Sequence, residues 1–219
     1  GFAGVRILDV PQYSPEWWSA RAGVPTASNA DRILTAAGKP SSSQAAYMAE
    51  LIDELVRPRD ERPADEQSFG GNRHTERGNE LEPKARAWHS LVTGHEIKEV
   101  GMIFRDDGLV ACSPDGLLLG SDGEPIGGGE YKAPEGKKHV LWMIENKLPD
   151  EHKQQVHFSL AASKLPFWDF VSMCPGYKAF KVRVTPDDYT AKMAAEIDAF
   201  VIKLNEAKSR FIDYINLRK

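Results

Sequence analysis

A chain of 219 residues that is 41% hydrophobic and 27% charged can bury one sizeable core, and its length favours one domain over two. No apolar run approaches membrane-spanning length, nothing at the start reads as a signal peptide, and an opening Gly1 in place of Met points to a processed start. The formal net charge of -4 is unlike the basic footprint usual for a protein that grips nucleic acid. Any such grip must come from local clusters: Arg57, Arg59 and Arg62, then Arg73 and Arg77, then Lys137 and Lys138.

Ser14 opens a short capped helix that stops at Gly23, and a second helix starts near Ser28. Residues 41–56 read as a good helix, with Tyr47, Leu51 and Leu55 at helical spacing. From Arg57 to Arg73 the composition turns to Pro, Gly, Asp, Glu and Arg, which predicts a mobile loop. A helix over 75–93, closed by Gly94, carries Leu81, Ala85, Trp88 and Val92 as its buried stripe. Glu80 and Glu82 flank that stripe on opposite sides, and periodicity leaves open which one reaches the sheet.

A strand is expected near 101–105, then a buried strand over 109–113 with 117–119 as its continuation. Ser121, Asp122 and Gly123 form the turn from which the chain returns to Glu130. Helices follow near 139–147 and 151–163, strands over 167–174 and 180–184, and a long C-terminal helix over 186–217. There is no internal repeat. Cys112 and Cys174 both have apolar neighbours and form no metal cluster, so a reducing cytoplasm is the simplest compartment and a disulfide framework is not expected.

The chemistry concentrates in Ser113-Pro114-Asp115-Gly116 and in Glu130-Tyr131-Lys132. Phosphodiester hydrolysis needs a cation at the phosphoryl oxygens and an acidified water, and hard Mg²⁺ prefers carboxylate oxygens. If Asp115 and Glu130 meet on neighbouring strands, alternation sends Glu130 and Lys132 to one face and Tyr131 to the other. Lys132 can then orient the attacking water or bear on developing negative charge. The bland alternative is a solvated hairpin edge with alternating charges. Against it, Pro114 removes a ladder donor and Gly116 adds no packing surface, so something other than sheet stability holds Asp115 there. The six histidines match no zinc spacing, and no Gly-x-Ser-x-Gly elbow surrounds Ser113. The Ser113 hydroxyl is read instead as a phosphate contact.

Trp17-x-x-x-Arg21-x-Gly23, Thr26-Ala27-Ser28, Arg77-Gly78-Asn79-Glu80-Leu81-Glu82, Ser113 to Gly116, Glu130 to Lys132 and Gln154-Gln155-Val156 occur in this order. Together they resemble the lambda exonuclease family, or YqaJ-type viral recombinases, over most of the chain. That resemblance implies an α/β restriction-endonuclease-like PD-(D/E)XK core: a mixed central β-sheet flanked by helices, in a single domain over 1–219. Helices within 14–57 would form part of a DNA-end pocket.

It implies Asp115, Glu130 and Glu82 as metal ligands, for one or two Mg²⁺ ions with Mn²⁺ able to substitute. Lys132 would be the catalytic lysine, Gln155 a glutamine beside the site, and Arg21 and Ser28 the pocket for a 5′-terminal phosphate. The implied activity is ATP-independent 5′→3′ digestion of one strand of linear double-stranded DNA, leaving 3′ tails for strand annealing. The resemblance also implies a ring-shaped homotrimer, a single-strand annealing partner, no membrane, and a phage- or prophage-encoded protein in a bacterial cytoplasm. Two alternatives keep fewer of these features: a structure- or site-specific endonuclease with the same metal centre, and a non-catalytic DNA-end-binding subunit. Tyr131 stands where a small aliphatic residue is common and Ala133 where cysteine often appears, and neither is expected to touch a metal. Residues 57–73 do not align, so no strand-separating wedge is named, and Trp17 is expected to anchor the core more than to stack on a base.

Overall fold

The computed structural model describes residues 5–67 and 76–216. Its first half runs β1 (Val5–Leu8), α1 (Pro15–Arg21), α2 (Gln44–Val56), α3 (Glu76–Thr93), β2 (Glu96–Lys98), β3 (Met102–Arg105) and β4 (Ala111–Cys112). The second half runs β5 (Gly116–Leu119), β6 (Pro125–Lys132), α4 (Gly136–Glu145), α5 (Lys153–Ser163), β7 (Trp168–Ser172), β8 (Phe180–Val184) and α6 (Asp188–Asn216). Arg73, expected in a basic cluster and at the end of a mobile loop, lies outside the described residues, as does His74, and the described part of that loop forms short 3₁₀ turns at Arg59–Glu61 and Ala64–Glu66.

Two sheets share the strands. β1, β3 and β4 make a small antiparallel sheet, and a larger mixed sheet has the order β2-β5-β6-β7-β8. In the larger sheet only the β6–β7 pair is parallel, with Glu130 opposite Phe170 and Tyr131 opposite Val171. A parallel neighbour requires a crossover, and α4 and α5 supply it.

The strand expected to run from 109 through 119 is two strands in two sheets. β4 ends at Cys112, and β5 resumes at Gly116 in the other sheet. Pro114 has no amide hydrogen to extend the first ladder, so the chain changes sheets at Ser113-Pro114-Asp115. This strand-to-strand corner presents Asp115.

Helix α1 begins as expected, with the Ser14 Oγ accepting from the Trp17 amide at 3.3 Å and Pro15 at the first helical position. The helix expected near Ser28 is a 3₁₀ stretch, Ala27–Arg32, with Asn29 off helical geometry. In α2 Tyr47 and Leu51 are buried, but Leu55 is exposed. In α3 the buried stripe is Leu81, Ala85 and His89, while Val92 faces solvent. A four-residue step from Ala85 leads to His89, and hydropathy alone passes over it. Strands β1 and β2 were not expected, because stretches of four and three residues are too short to display a period.

Alternation along β7 organises the layers. Asp169 and Val171 face α3, where Val171 packs with Tyr131 and Ala85. Phe170 packs on the opposite side with Trp142 of α4 and Phe180 of β8. The main core lies between the sheets, α5 and α6, where Phe158, Trp168, Met193, Ile197 and Phe200 are buried with Tyr47 and Leu51 of α2.

His152, just before α5, sits 5.6 Å from the Trp142 ring and 5.2 Å from the Phe170 ring. Burial, with Lys132 and Lys138 nearby, lowers its pKa from 6.5 to about 3. The unfolded chain therefore takes up a proton near pH 6.5 that the folded chain refuses until about pH 3, so this group withdraws stability as pH falls through that window. His152→Phe should flatten the fall of Tm between pH 6.5 and 4. A melting profile in that range with the wild-type slope would remove His152 from the account.

Candidate active site

The β5–β6 hairpin brings the two sequence motifs together. Gly116 is the register partner of Gly129, and the Asp115 amide donates to the Gly129 carbonyl at 2.9 Å, which places Asp115 beside Glu130. Alternation on β6 works as expected: Glu130 and Lys132 share a face, with the Lys132 Nζ 2.9 Å from the Glu130 Oε1. From α5, the Gln155 amide donates to the same Oε1 at 3.3 Å.

Glu82 approaches from α3. It lines a cleft of about 430 Å³ together with Asp115, Tyr13, Gln12 and Arg86, whereas Glu80 is exposed and absent from that lining. Arg86 links the two acids, since its Nη2 donates to the Glu82 Oε1 at 2.9 Å and to the Asp115 carbonyl at 3.1 Å. The corner itself is braced by Gln12, whose amide donates to the Pro114 carbonyl at 2.8 Å. Sequence reading missed Gln12, Tyr13 and Arg86. Only Arg86 carried a signal, its i,i+4 spacing from Glu82.

The electrostatics follow from burying like charges together. Burial, then Glu130 and Glu82, push the Asp115 carboxyl well above the usual carboxylate range. Burial also raises Glu82; Arg86 opposes the rise, while Glu99 and Glu130 add to it. Burial works against the charge of Lys132, but Glu130 and Asp115 outweigh it and hold the ammonium above the ordinary lysine value. Tyr13 has φ +65° and borders both this cleft and the next one. Burial and all three acids push its hydroxyl up to about 12.

Among the described residues no three Asp, Glu, His or Cys side chains gather into a ready-made metal cluster. Each acid has its own donor instead: Arg86 for Glu82, the Tyr131 amide for Asp115 at 2.8 Å, and Lys132 with Gln155 for Glu130. The donor set nevertheless suits a hard divalent cation. It offers carboxylate oxygens from three elements, and their mutual repulsion is what a cation would relieve.

A second cleft, of about 760 Å³, is lined by Arg21, Trp18, Asn29, Glu54 and Arg59 among others. The buried Arg21 donates to the Ser28 Oγ at 3.0 Å, and its guanidinium lies 5.3 Å from the Trp17 ring centroid. Ser28 also lies 3.4 Å from the Thr26 hydroxyl. Arg57, expected in a basic patch, pairs with Asp53 at 2.7 Å and with Glu66, so acids within its own loop and helix offset its charge. Trp17 is 2% exposed and its indole donates to the Gly101 carbonyl at 2.9 Å and to the Ser113 Oγ at 3.2 Å. It is a core anchor that also orients Ser113.

Residues 16–166 match the model of the YqaJ-like viral recombinase domain. An alkaline exonuclease from Laribacter hongkongensis superposes with a TM-score of 0.74 at 28% identity, covering 94% of this chain and 100% of that one. The same exonuclease in complex with dAMP gives 0.74 at 30% identity over the same shares. A phage-related exonuclease from Haemophilus somnus 129PT gives 0.57 at 13% identity, over 88% and 96%, a likeness of fold. The α/β fold, a mixed sheet flanked by helices, is thus of the PD-(D/E)XK exonuclease type. No curated protein sequence matches the chain. Among the described residues, no helix is long and apolar enough to cross a membrane.

Proposed function

The chain belongs to the YqaJ-like viral recombinase family, and on that premise we propose that it is a divalent-metal-dependent, ATP-independent exonuclease. It digests one strand of linear double-stranded DNA from the 5′ end and leaves 3′ tails for recombination by strand annealing. The observation that carries this reading is the meeting of Asp115, Glu130 and Lys132 at one hairpin end, with Glu82 lining a cleft beside Asp115. The related alkaline exonuclease has been captured with dAMP, the kind of product that removal of one nucleotide at a time would release. A ring-shaped trimer around the duplex and a single-strand annealing protein as partner belong to the same proposal.

Glu82, Asp115 and Glu130 would hold one or two Mg²⁺ ions, or Mn²⁺. The cation supplies positive charge at the phosphoryl oxygens and acidifies water. Lys132 is an ammonium at working pH, so it serves as a donor that orients the attacking water and offsets developing negative charge. Gln155, already on the Glu130 carboxylate, has a second amide hydrogen and a carbonyl with which to fix water or a phosphate oxygen. Ser113, whose Oγ accepts from the Trp17 indole, keeps its own hydroxyl hydrogen to offer a phosphate oxygen. Direct in-line attack follows, with no covalent intermediate.

Arg21 and Ser28 bind the 5′-terminal phosphate, for which a guanidinium fork and a hydroxyl suit a dianion. The test uses linear duplex carrying a 5′-phosphate or a 5′-hydroxyl, and a covalently closed circle, each with Mg²⁺ or with EDTA. Mg²⁺-dependent loss of the phosphorylated linear strand, with the circle intact, is the expected gel. Cutting of the circle would mean an endonuclease, and binding without any digestion would mean an end-binding subunit. Arg21→Ala should erase the preference for the 5′-phosphate and lower the rate on that substrate by about 10- to 100-fold, the scale of a charge-assisted contact pair. An undiminished preference would move the phosphate pocket elsewhere.

A further inference from the structure

Behind the catalytic face of β6 lies a buried polar chain that the proposed reaction does not use. Tyr131, between Glu130 and Lys132, turns its ring to the opposite side of the strand, where its hydroxyl lies 2.9 Å from the His89 Nδ1 on α3. The other ring nitrogen, Nε2, lies 2.6 Å from the Asp169 Oδ2 on β7. Arg183 of β8 closes the chain with bonds of 2.9 and 3.1 Å to the two Asp169 oxygens. His89 and Asp169 are fully buried. Burial alone would raise the Asp169 carboxyl, but hydrogen bonds from His89 and Arg183 outweigh it and hold the group below the usual carboxylate range. An ionised Asp169 accepts a hydrogen bond from the Nε2 N–H, and in the tautomer that carries its hydrogen there Nδ1 accepts from the Tyr131 hydroxyl.

The backbone has been shaped around this chain. A Cβ at Gly116 would come within 2.4 Å of the Tyr131 hydroxyl oxygen, and one at Gly129 within 3.2 Å of both the His89 and Tyr131 rings. Gly116 and Gly129 are register partners on β5 and β6, so the hairpin is free of side chains where the tyrosine crosses it. The glycine of the Ser113-Pro114-Asp115-Gly116 motif is therefore tied to the Tyr131 ring on the neighbouring strand. A small aliphatic at 131 would leave that space unfilled.

Tyr131 and His89 tie the chain to the elements that carry the acids. The Tyr131 amide donates to the Asp115 Oδ2 at 2.8 Å, so the tilt of this peptide sets the orientation of one acid. His89 follows Glu82 by about two helical turns on α3, which puts both on the side of the helix turned toward the sheet. Fixing His89 to β6 and β7 therefore fixes how far Glu82 stands from Asp115 and Glu130.

We propose that Arg183, Asp169, His89 and Tyr131 form a positioning chain that sets the spacing between Glu82 on α3 and the Asp115, Glu130 and Lys132 groups of the hairpin. The claim rests on the proposed metal-dependent nuclease reading. None of the four acts on substrate; they act through the acids they hold in place, as groups behind metal ligands commonly do, where their loss costs 10- to 100-fold in metal affinity or activity.

Tyr131→Phe removes one oxygen and keeps the ring, and Asp169→Asn uncouples His89 from Arg183. Three measurements apply to each variant well below its Tm: the Mg²⁺ concentration for half-maximal digestion, the KM for linear duplex, and calorimetric Mg²⁺ affinity without DNA. Tyr131→Phe should raise the half-saturating Mg²⁺ and weaken calorimetric binding by about tenfold, with KM for DNA unchanged. The double variant should be no worse than the weaker single one, because both break the same chain. If Asp169→Asn does not fold, Tyr131→Phe decides alone. A lower Tm with wild-type Mg²⁺ dependence would reduce the chain to a structural cluster and overturn the proposal. A wild type that binds Mg²⁺ but digests nothing would sink the nuclease reading and leave calorimetry to judge the positioning. A wild type that binds no Mg²⁺ would overturn both.

Discussion

Asp115→Asn should abolish metal-dependent digestion and, in EDTA, make the protein more stable. Asp115 is pressed by its own burial and by the charges of Glu130 and Glu82. A carboxyl whose folded pKa lies above its unfolded one favours the fold when protonated, so near neutral pH its charge opposes folding, and this penalty fades as pH falls. Asparagine removes the charge and keeps an oxygen for the Tyr131 amide. A gain of about 1 kcal/mol corresponds to roughly 2–4 °C in Tm for a domain of this size. Activity should fall on the order of a thousandfold, because metal-borne charge stabilisation is worth several kcal/mol and each 1.4 kcal/mol is tenfold.

Mg²⁺ separates the two proteins further. An ion that binds only the folded wild type at a hundred times its Kd adds about 2.7 kcal/mol, and the asparagine variant should gain much less. The order of the two melting temperatures should therefore reverse between EDTA and saturating Mg²⁺. An asparagine variant less stable than wild type in EDTA, or one that still digests DNA, would remove Asp115 from the centre of the site.

Much of this site was legible because strands alternate. Glu130 and Lys132 are two residues apart on β6, so their shared face needed only the recognition of a strand, and the 2.9 Å contact follows. Asp115 was legible for the opposite reason, since a proline and a glycine where a ladder should continue mark a corner held for another purpose. The path through that corner was not legible. The hydropathy of 109–113 and of 117–119 is the same on both sides, and which sheet a strand joins depends on long-range pairing.

Periodicity left the acid on α3 open between Glu80 and Glu82, and only the family resemblance pointed to Glu82, because two residues apart on a helix are about 200° apart and the docking of the helix decides which faces inward. That docking is governed in part by His89, a polar residue that no count of apolar positions would place at zero exposure. Tyr13 and Gln12 were invisible for a simpler reason: they sit in an irregular segment where no period exists, and the fold brings them against residues about a hundred positions away.

Lys132→Ala should abolish cleavage and leave DNA binding in place. The ammonium is charge-paired with Glu130 and drawn up by both neighbouring acids, so it cannot serve as a base that accepts a proton. Its proposed contribution is donation: to the carboxylate before the reaction, and to the attacking water or a phosphoryl oxygen as negative charge develops. A single such donor is worth about 10²- to 10³-fold in turnover. The phosphate contacts proposed for Arg21 and Ser28 are separate from it, so affinity for duplex in Ca²⁺ should change little.

Truncation also strands Glu130, which is 4% exposed and, among the described residues, would keep the 3.3 Å bond from Gln155. Leaving a buried charge without its partner costs about 3–5 kcal/mol, so in EDTA this variant should melt below the wild type, opposite in sign to Asp115→Asn. A divalent ion supplies positive charge at the same carboxylate, so Mg²⁺ should recover much of the lost Tm without recovering cleavage. The pair of variants thus divides the lysine's two roles: stability can be restored by any cation near Glu130, whereas turnover needs a donor at the Lys132 position. Digestion at the wild-type rate by Lys132→Ala would defeat the catalytic role, and a Tm unaffected by either substitution would mean that these charges do not share a site.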